Sequence, residues 1–170
     1  MPDPTEDGPD YKLLRSDPKR FLAIVQDQVR RHPTDSIGYF RRHHAWERLG
    51  RKDLALKDID HCLSLKPTCI RFLARGRLLR GMGRHQDAIT DFNRAEAADP
   101  ELWTAAMGPL CRADCYARLG NEAAALADCM RLPEDHWTPG VFGTPAGNKQ
   151  EVTEKIKKIA RRHSRGNKTS

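Results

Sequence analysis

The sequence predicts an all-α array of stacked helix pairs, and three observations lead to it. Gly50, Arg51, Ala55, Asp58 and Pro67 are echoed thirty-three positions later by Gly83, Arg84, Ala88, Asp91 and Pro100. A fixed period of that size marks a repeat array. Apolar residues recur at helical spacing on either side of each turn glycine. Each such helix is too one-sided to bury its apolar face alone, so neighbours must stack.

Taken in order, residues 1–15 carry Asp3, Glu6, Asp7 and Asp10 with no helical period and are expected to form a disordered acidic lead. Asp17 reads as an N-cap with Pro18 at the first helical position. Phe21, Ile24, Val25 and Val29 then predict an amphipathic helix over roughly 18–32, closed by Pro33. Tyr39, Ala45, Trp46 and Leu49 mark the inner face of the next helix, which stops at Gly50. Its partner carries Leu54, Ala55, Ile59, Cys62 and Leu65 and ends before Pro67. Phe72, Leu78, Leu79 and Met82, then Ala88, Ile89, Phe92, Ala95 and Ala98, repeat the pattern.

The third pair is irregular. Pro100 to Gly120 is twenty residues where Pro67 to Gly83 is sixteen, so four residues have been added around Trp103–Pro109. Pro109 lacks an amide hydrogen and crowds the preceding turn, which predicts a break or kink near Gly108. The partner helix, about 121–131, stops short of Pro133. Residues 134–148 form a loop by their Pro, Gly and Asn content, yet hold Trp137, Val141 and Phe142. Asn148 followed three residues later by Glu151 has capping-box spacing. A last helix, about 149–163, sets Val152, Ile156, Ile159 and Ala160 against Lys155, Lys157, Lys158, Arg161 and Arg162. It reads as the cap of the array, followed by a basic tail.

Composition narrows the class. With 38% hydrophobic and 31% charged residues the chain is polar for a globule and ordinary for a helical array. No apolar run approaches the length of a membrane span, and the acidic, Pro-rich start lacks signal-peptide grammar. Five cysteines, an odd number, do not suit a secreted disulfide framework. A cytoplasmic protein with reduced thiols is expected. The net charge is +7, of which residues 149–170 supply +6 and residues 11–148 supply +5 against four acids at the start. A basic body attracts acidic peptides, nucleic acid or anionic surfaces.

No catalytic constellation emerges. His43, His44 and Asp135-His136 lack a nucleophile with an orienting acid at suggestive spacing. Cys62, Cys69, Cys111, Cys115 and Cys129 form no CxxC pair, and no HxxxH pair is present, so core thiols are expected rather than a metal centre. No glycine-rich phosphate cradle appears, and neither enzyme activity nor a cofactor is expected.

These residues resemble the tetratricopeptide repeat, a helix-turn-helix unit of 34 residues. The first repeat matches through Tyr39, Trp46, Leu49, Gly50, Ala55, Ile59, Cys62 and Pro67, departing at His43, where the family prefers a small residue. The second matches through Phe72, Gly76, Leu79, Gly83, Ala88, Phe92, Ala95 and Pro100, and the third through Ala113, Tyr116, Leu119, Gly120, Ala125, Cys129 and Leu132. The resemblance implies a right-handed solenoid of about eight helices: a lead helix and three repeats over 16–133, then a capping helix. It also implies a non-enzymatic scaffold, adaptor or chaperone-like, that binds protein in a concave groove lined by the first helix of each repeat. Carried onto this chain, that groove would hold Arg41, His44, Arg48, Arg77, Arg80 and Arg112, a row suited to an acidic peptide because guanidinium forks pair with carboxylates. Relatives that clamp a chaperone's terminal carboxylate use Lys, Asn and Arg where this chain has Phe40, His44, Ala74, Met107 and Cys111, so that clamp is not expected. Trp137 and Phe142 are expected either to fold back over the end of the array or to form a contact loop. The alternatives are a nucleic-acid-associated protein using the basic tail, with a steep salt dependence, and a homodimerising structural module.

Overall fold

The computed structural model describes residues 9–140 and 143–166. The chain divides into two compact units, residues 1–71 and 72–170. The first holds α1 (Pro9–Ser16), α2 (Pro18–Arg31), α3 (Ser36–Arg48), α4 (Lys52–Leu65) and the start of α5 (Cys69–Gly81). The second holds the rest of α5, α6 (His85–Ala98), α7 (Pro100–Ala105), α8 (Gly108–Arg118), α9 (Glu122–Met130) and α10 (Lys149–Gly166). A two-residue antiparallel ladder, β1 (Trp137–Thr138) on β2 (Gly147–Asn148), precedes α10. No described helix is long and apolar enough to cross a membrane.

In the first unit the predicted helix starts hold. Asp17 accepts from the Arg20 amide at 3.0 Å with Pro18 at the first turn. Phe21 and Val25 of α2 close on Ala45 of α3. The expected disordered lead is corrected over residues 9–15: Pro9–Ser16 is helical because Leu14 joins that apolar cluster, with Leu13 beside it. Residues 1–8 lie outside the described residues.

The second unit is built on α8, whose residues Gly108 to Cys115 are all buried. It packs on α6, α7, α9 and α10. Leu110, Ala113 and Ala117 meet Ala125 and Cys129 of α9 and Val152, Ile156 and Ala160 of α10, the apolar face predicted for a cap. Asn148 and Glu151 exchange side-chain-to-amide hydrogen bonds, each 3.0 Å, completing the capping box. The helix then runs to Gly166, beyond the expected end.

The described residues contain ten helices, more than the expected eight, because of α1 and a split in the third repeat. Met107 takes a left-handed backbone, φ 61°, between α7 and α8, which is the predicted break. Gly108 follows because the Trp103 ring lies where its Cβ would be, 2.0 Å away. Gly76 plays the same part for Phe92, 2.6 Å from its missing Cβ. Both rings are fully buried and cannot swing aside. Gly76→Ala is therefore expected to lower stability by about 1–3 kcal/mol through overpacking, measured by urea unfolding.

All five cysteines are free and buried. Burial pushes the Cys62 thiol up to about 12 and that of Cys129 up to about 11. The native protein should accordingly react slowly with a thiol-specific chromophore at pH 8 and yield five equivalents only in denaturant.

Candidate functional site

The structure distributes the six expected groove residues among different tasks. In the first unit Arg41, His44 and Arg48 fall on one face of α3, at spacings of three and four residues. Arg48 is exposed and the other two half-buried. Arg41 lies over the Phe21 ring, 5.5 Å from its centroid, and donates to Gln28 Oε1 at 2.8 Å. His44 stands edge-on to Phe40, 4.6 Å between centroids.

The remaining three are bound into the second unit. Arg77 donates to the carbonyl of Ala106, one of the orphan acceptors at the end of α7. Arg80 is buried and pairs with the fully buried Asp114 at 2.6 Å, an acid that Arg118 also approaches at 3.0 Å. Arg112 donates through Nε and Nη2 to Asp128, at 2.7 and 2.6 Å, and through Nη1 to Asn93 and Glu96. Its guanidinium also faces Trp103, 5.0 Å from that side chain's ring centroid. Burial alone would lower the Arg112 pKa, but Asp128 and then Glu96 raise it well above the ordinary arginine range. A groove role for Arg80 and Arg112 is thereby corrected, since both guanidiniums neutralise acids inside the fold.

Arg112 does this because its position recurs in each repeat. Arg42 donates two bonds to Asp58, 2.8 and 2.6 Å, and Arg75 does the same to Asp91, 2.6 and 2.7 Å. In all three pairs the acid follows the arginine by sixteen residues and is at most 5% exposed. Arg42, Arg75 and Arg112 are therefore equivalent positions, one per repeat, on the side of the first helix that faces its own partner. The added residues shift Arg112 and Asp128 together. The signal was present: Asp58 and Asp91 were already part of the echo, and an arginine stands sixteen residues before each.

A second grouping lies on α3. His43 is fully buried, Nδ1 3.0 Å from the Ala55 carbonyl and Nε2 3.0 Å from Glu47 Oε2. His44 Nδ1 is 3.4 Å from the same oxygen. Burial pushes the Glu47 carboxyl up, and the two imidazoles more than reverse this, bringing it down to about 2. Trp137, on β1, is 67% exposed, so it does not fold back over the array. Phe142 lies outside the described residues.

The fold is that of an all-α, tetratricopeptide-like helical solenoid. It is similar to PilW, a widely conserved type IV pilus biogenesis factor, with a TM-score of 0.65 at 24% identity over 72% of this chain and 56% of that one. It is also similar to MamA, with a TM-score of 0.68 at 12% identity over 96% of this chain and 98% of that one. The C-terminal part of a TPR repeat-containing protein from Cytophaga hutchinsonii gives 0.66 at 16% identity, over 94% and 60% of the two chains. No curated protein matches the sequence. Residues 72–102 match the tetratricopeptide repeat, where the second unit of the echo lies.

The two kinds of arginine should separate experimentally. Arg80→Glu sets a second carboxylate against buried Asp114 and is expected to cost about 3–5 kcal/mol, whereas exposed Arg48→Glu should change stability by less than about 0.5 kcal/mol. Thermal unfolding of the two variants beside the parent chain checks this.

Proposed function

We propose that the chain is a non-enzymatic scaffold that binds a protein or peptide partner and selects an acidic segment through the α3 face bearing Arg41, His44 and Arg48. The observation that carries the reading is this basic face on the first helix of a tetratricopeptide-like pair, with Arg48 exposed and Arg41 braced by Phe21 and Gln28. Bracing matters because a guanidinium already held in place loses less side-chain entropy on meeting a carboxylate. A cytoplasmic setting belongs to the same proposal, in keeping with five free thiols.

The nucleic-acid alternative has less to draw on. Lys149 pairs with Glu134, Arg161 with Glu122 and Lys157 with Glu154, while Lys155 donates to the Ala146 carbonyl. Part of the basic charge of α10 is thus paired with neighbouring acids or a carbonyl, which leaves less of it for a phosphate-tracking stripe.

Affinity capture from the native cell, comparing the parent chain with Arg41→Glu/Arg48→Glu, tests the proposal. A partner released by an acidic peptide, and recovered at least tenfold less by the double variant at unchanged helicity, is the expected result. Capture unaffected by the double substitution, or displaced only by polynucleotide, would remove the acidic-segment reading.

A further inference from the structure

We propose that His43, His44 and Glu47 form a binding site for a divalent transition-metal ion of the zinc type. The grouping shares His44 with the α3 face proposed to bind peptide and takes His43 and Glu47 besides. One ligand atom from each residue lies within 4.8 Å of the other two. Glu47 follows His43 by four residues and His44 by three, the two spacings at which helical side chains meet, so its carboxylate reaches both rings.

The protonation of His43 follows from its surroundings. The Ala55 carbonyl can only accept, so His43 Nδ1 carries the hydrogen and donates across 3.0 Å. In the neutral ring Nε2 is then a bare lone pair. It is buried and faces a Glu47 carboxylate oxygen across 3.0 Å, a separation that a shared cation, a proton or a metal ion, makes favourable. Two acceptors that close repel each other unless a cation stands between them. His44 Nδ1, 3.4 Å from the same Glu47 oxygen, adds a third donor atom to that point.

The two separations from Glu47, 3.0 and 3.4 Å, suit a metal site, and the ligand atoms of the two histidines lie within 4.8 Å of each other. Tetrahedral ligands at zinc bond lengths of roughly 2.0–2.1 Å stand about 3.3 Å apart. The outer shell fits as well, since a ligating histidine nearly always donates its other ring nitrogen to a carbonyl or carboxylate, and His43 does so to Ala55. Phe40 stacks on His43 and meets His44 edge-on, fixing both rings beside an apolar wall. Two imidazoles and one carboxylate favour zinc, nickel or copper over calcium or magnesium, which prefer all-oxygen sites. The His44 and Glu47 side chains are 25% and 35% exposed, which opens a route from solvent and leaves a fourth position for water. The histidine at position 43, where the tetratricopeptide family favours a small residue, acquires a reason on this account.

Titration of the full-length chain with Zn2+ in a non-thiol reductant, followed by calorimetry, is the test. One equivalent should bind and raise the Tm, and His44→Ala or Glu47→Gln should each weaken binding at least tenfold and abolish the Tm shift. Co2+ replaces Zn2+ as a second probe that needs no variant. Visible ligand-field bands without thiolate charge transfer support nitrogen and oxygen ligation. The proposal is overturned by the absence of binding at hundredfold excess of metal, by binding that survives both substitutions, or by a thiolate-to-cobalt band that assigns the metal to cysteine. In the first case the group between His43 and Glu47 is a proton, and the pair is an imidazolium and a carboxylate.

Discussion

In each of the three helix pairs a buried aspartate on the second helix receives both prongs of a guanidinium from the first, Asp58 from Arg42, Asp91 from Arg75 and Asp128 from Arg112. A buried carboxylate is costly to desolvate, and only a well-shaped, doubly bonded partner offsets that cost. In the third pair the fork stands among small side chains, Ala113 and Ala117 against Ala125 and Cys129. Small side chains slide past one another more readily than interlocked large ones. The fork supplies what they lack: one sliding position at which both oxygens are satisfied. Turn glycines with left-handed backbones, Gly50, Gly83 and Gly120, then join each arginine-bearing helix to its acid-bearing partner at a constant reach.

The added residues of the third repeat show what this constraint tolerates. They fall before Arg112, so the sixteen-residue reach to Asp128 is kept while the preceding helix is divided. The division exposes the Ala106 carbonyl, which Arg77 takes up, and brings Trp103 flat against Gly108 and beneath Arg112. An insertion between arginine and acid would have parted the fork. Placed ahead of it, the insertion gave α8 an extra wall and buried nearly its whole length.

The helices and their ends were legible in the sequence because they depend on local chemistry: Pro18 after Asp17, the Asn148–Glu151 box, the break at Pro109. The short helix Pro9–Ser16 was not, since its warrant is Leu14 meeting Phe21 and Val25 rather than any pattern of its own. The expected groove failed at Arg80 and Arg112 for a related reason. Which face of a helix an arginine occupies depends on register within the repeat, and the four added residues made Arg112 resemble a neighbour of Arg77 when its equivalent is Arg75. Counting back from the echoed aspartates would have corrected it. The convergence of His43, His44 and Glu47 could be read as helical spacing, but the Ala55 carbonyl that fixes the His43 tautomer belongs to another helix and could not.

The account stands or falls on the coupling within one fork. A double-mutant cycle at Arg75 and Asp91, with Arg75→Met, Asp91→Leu and both together followed by chemical unfolding of the full chain, measures it. Each single change should cost about 3–5 kcal/mol by stranding a buried charge or its partner's donors, and the pair together should cost less than either alone. Costs that simply add would contradict the account, because the two residues would then be stabilising the fold separately.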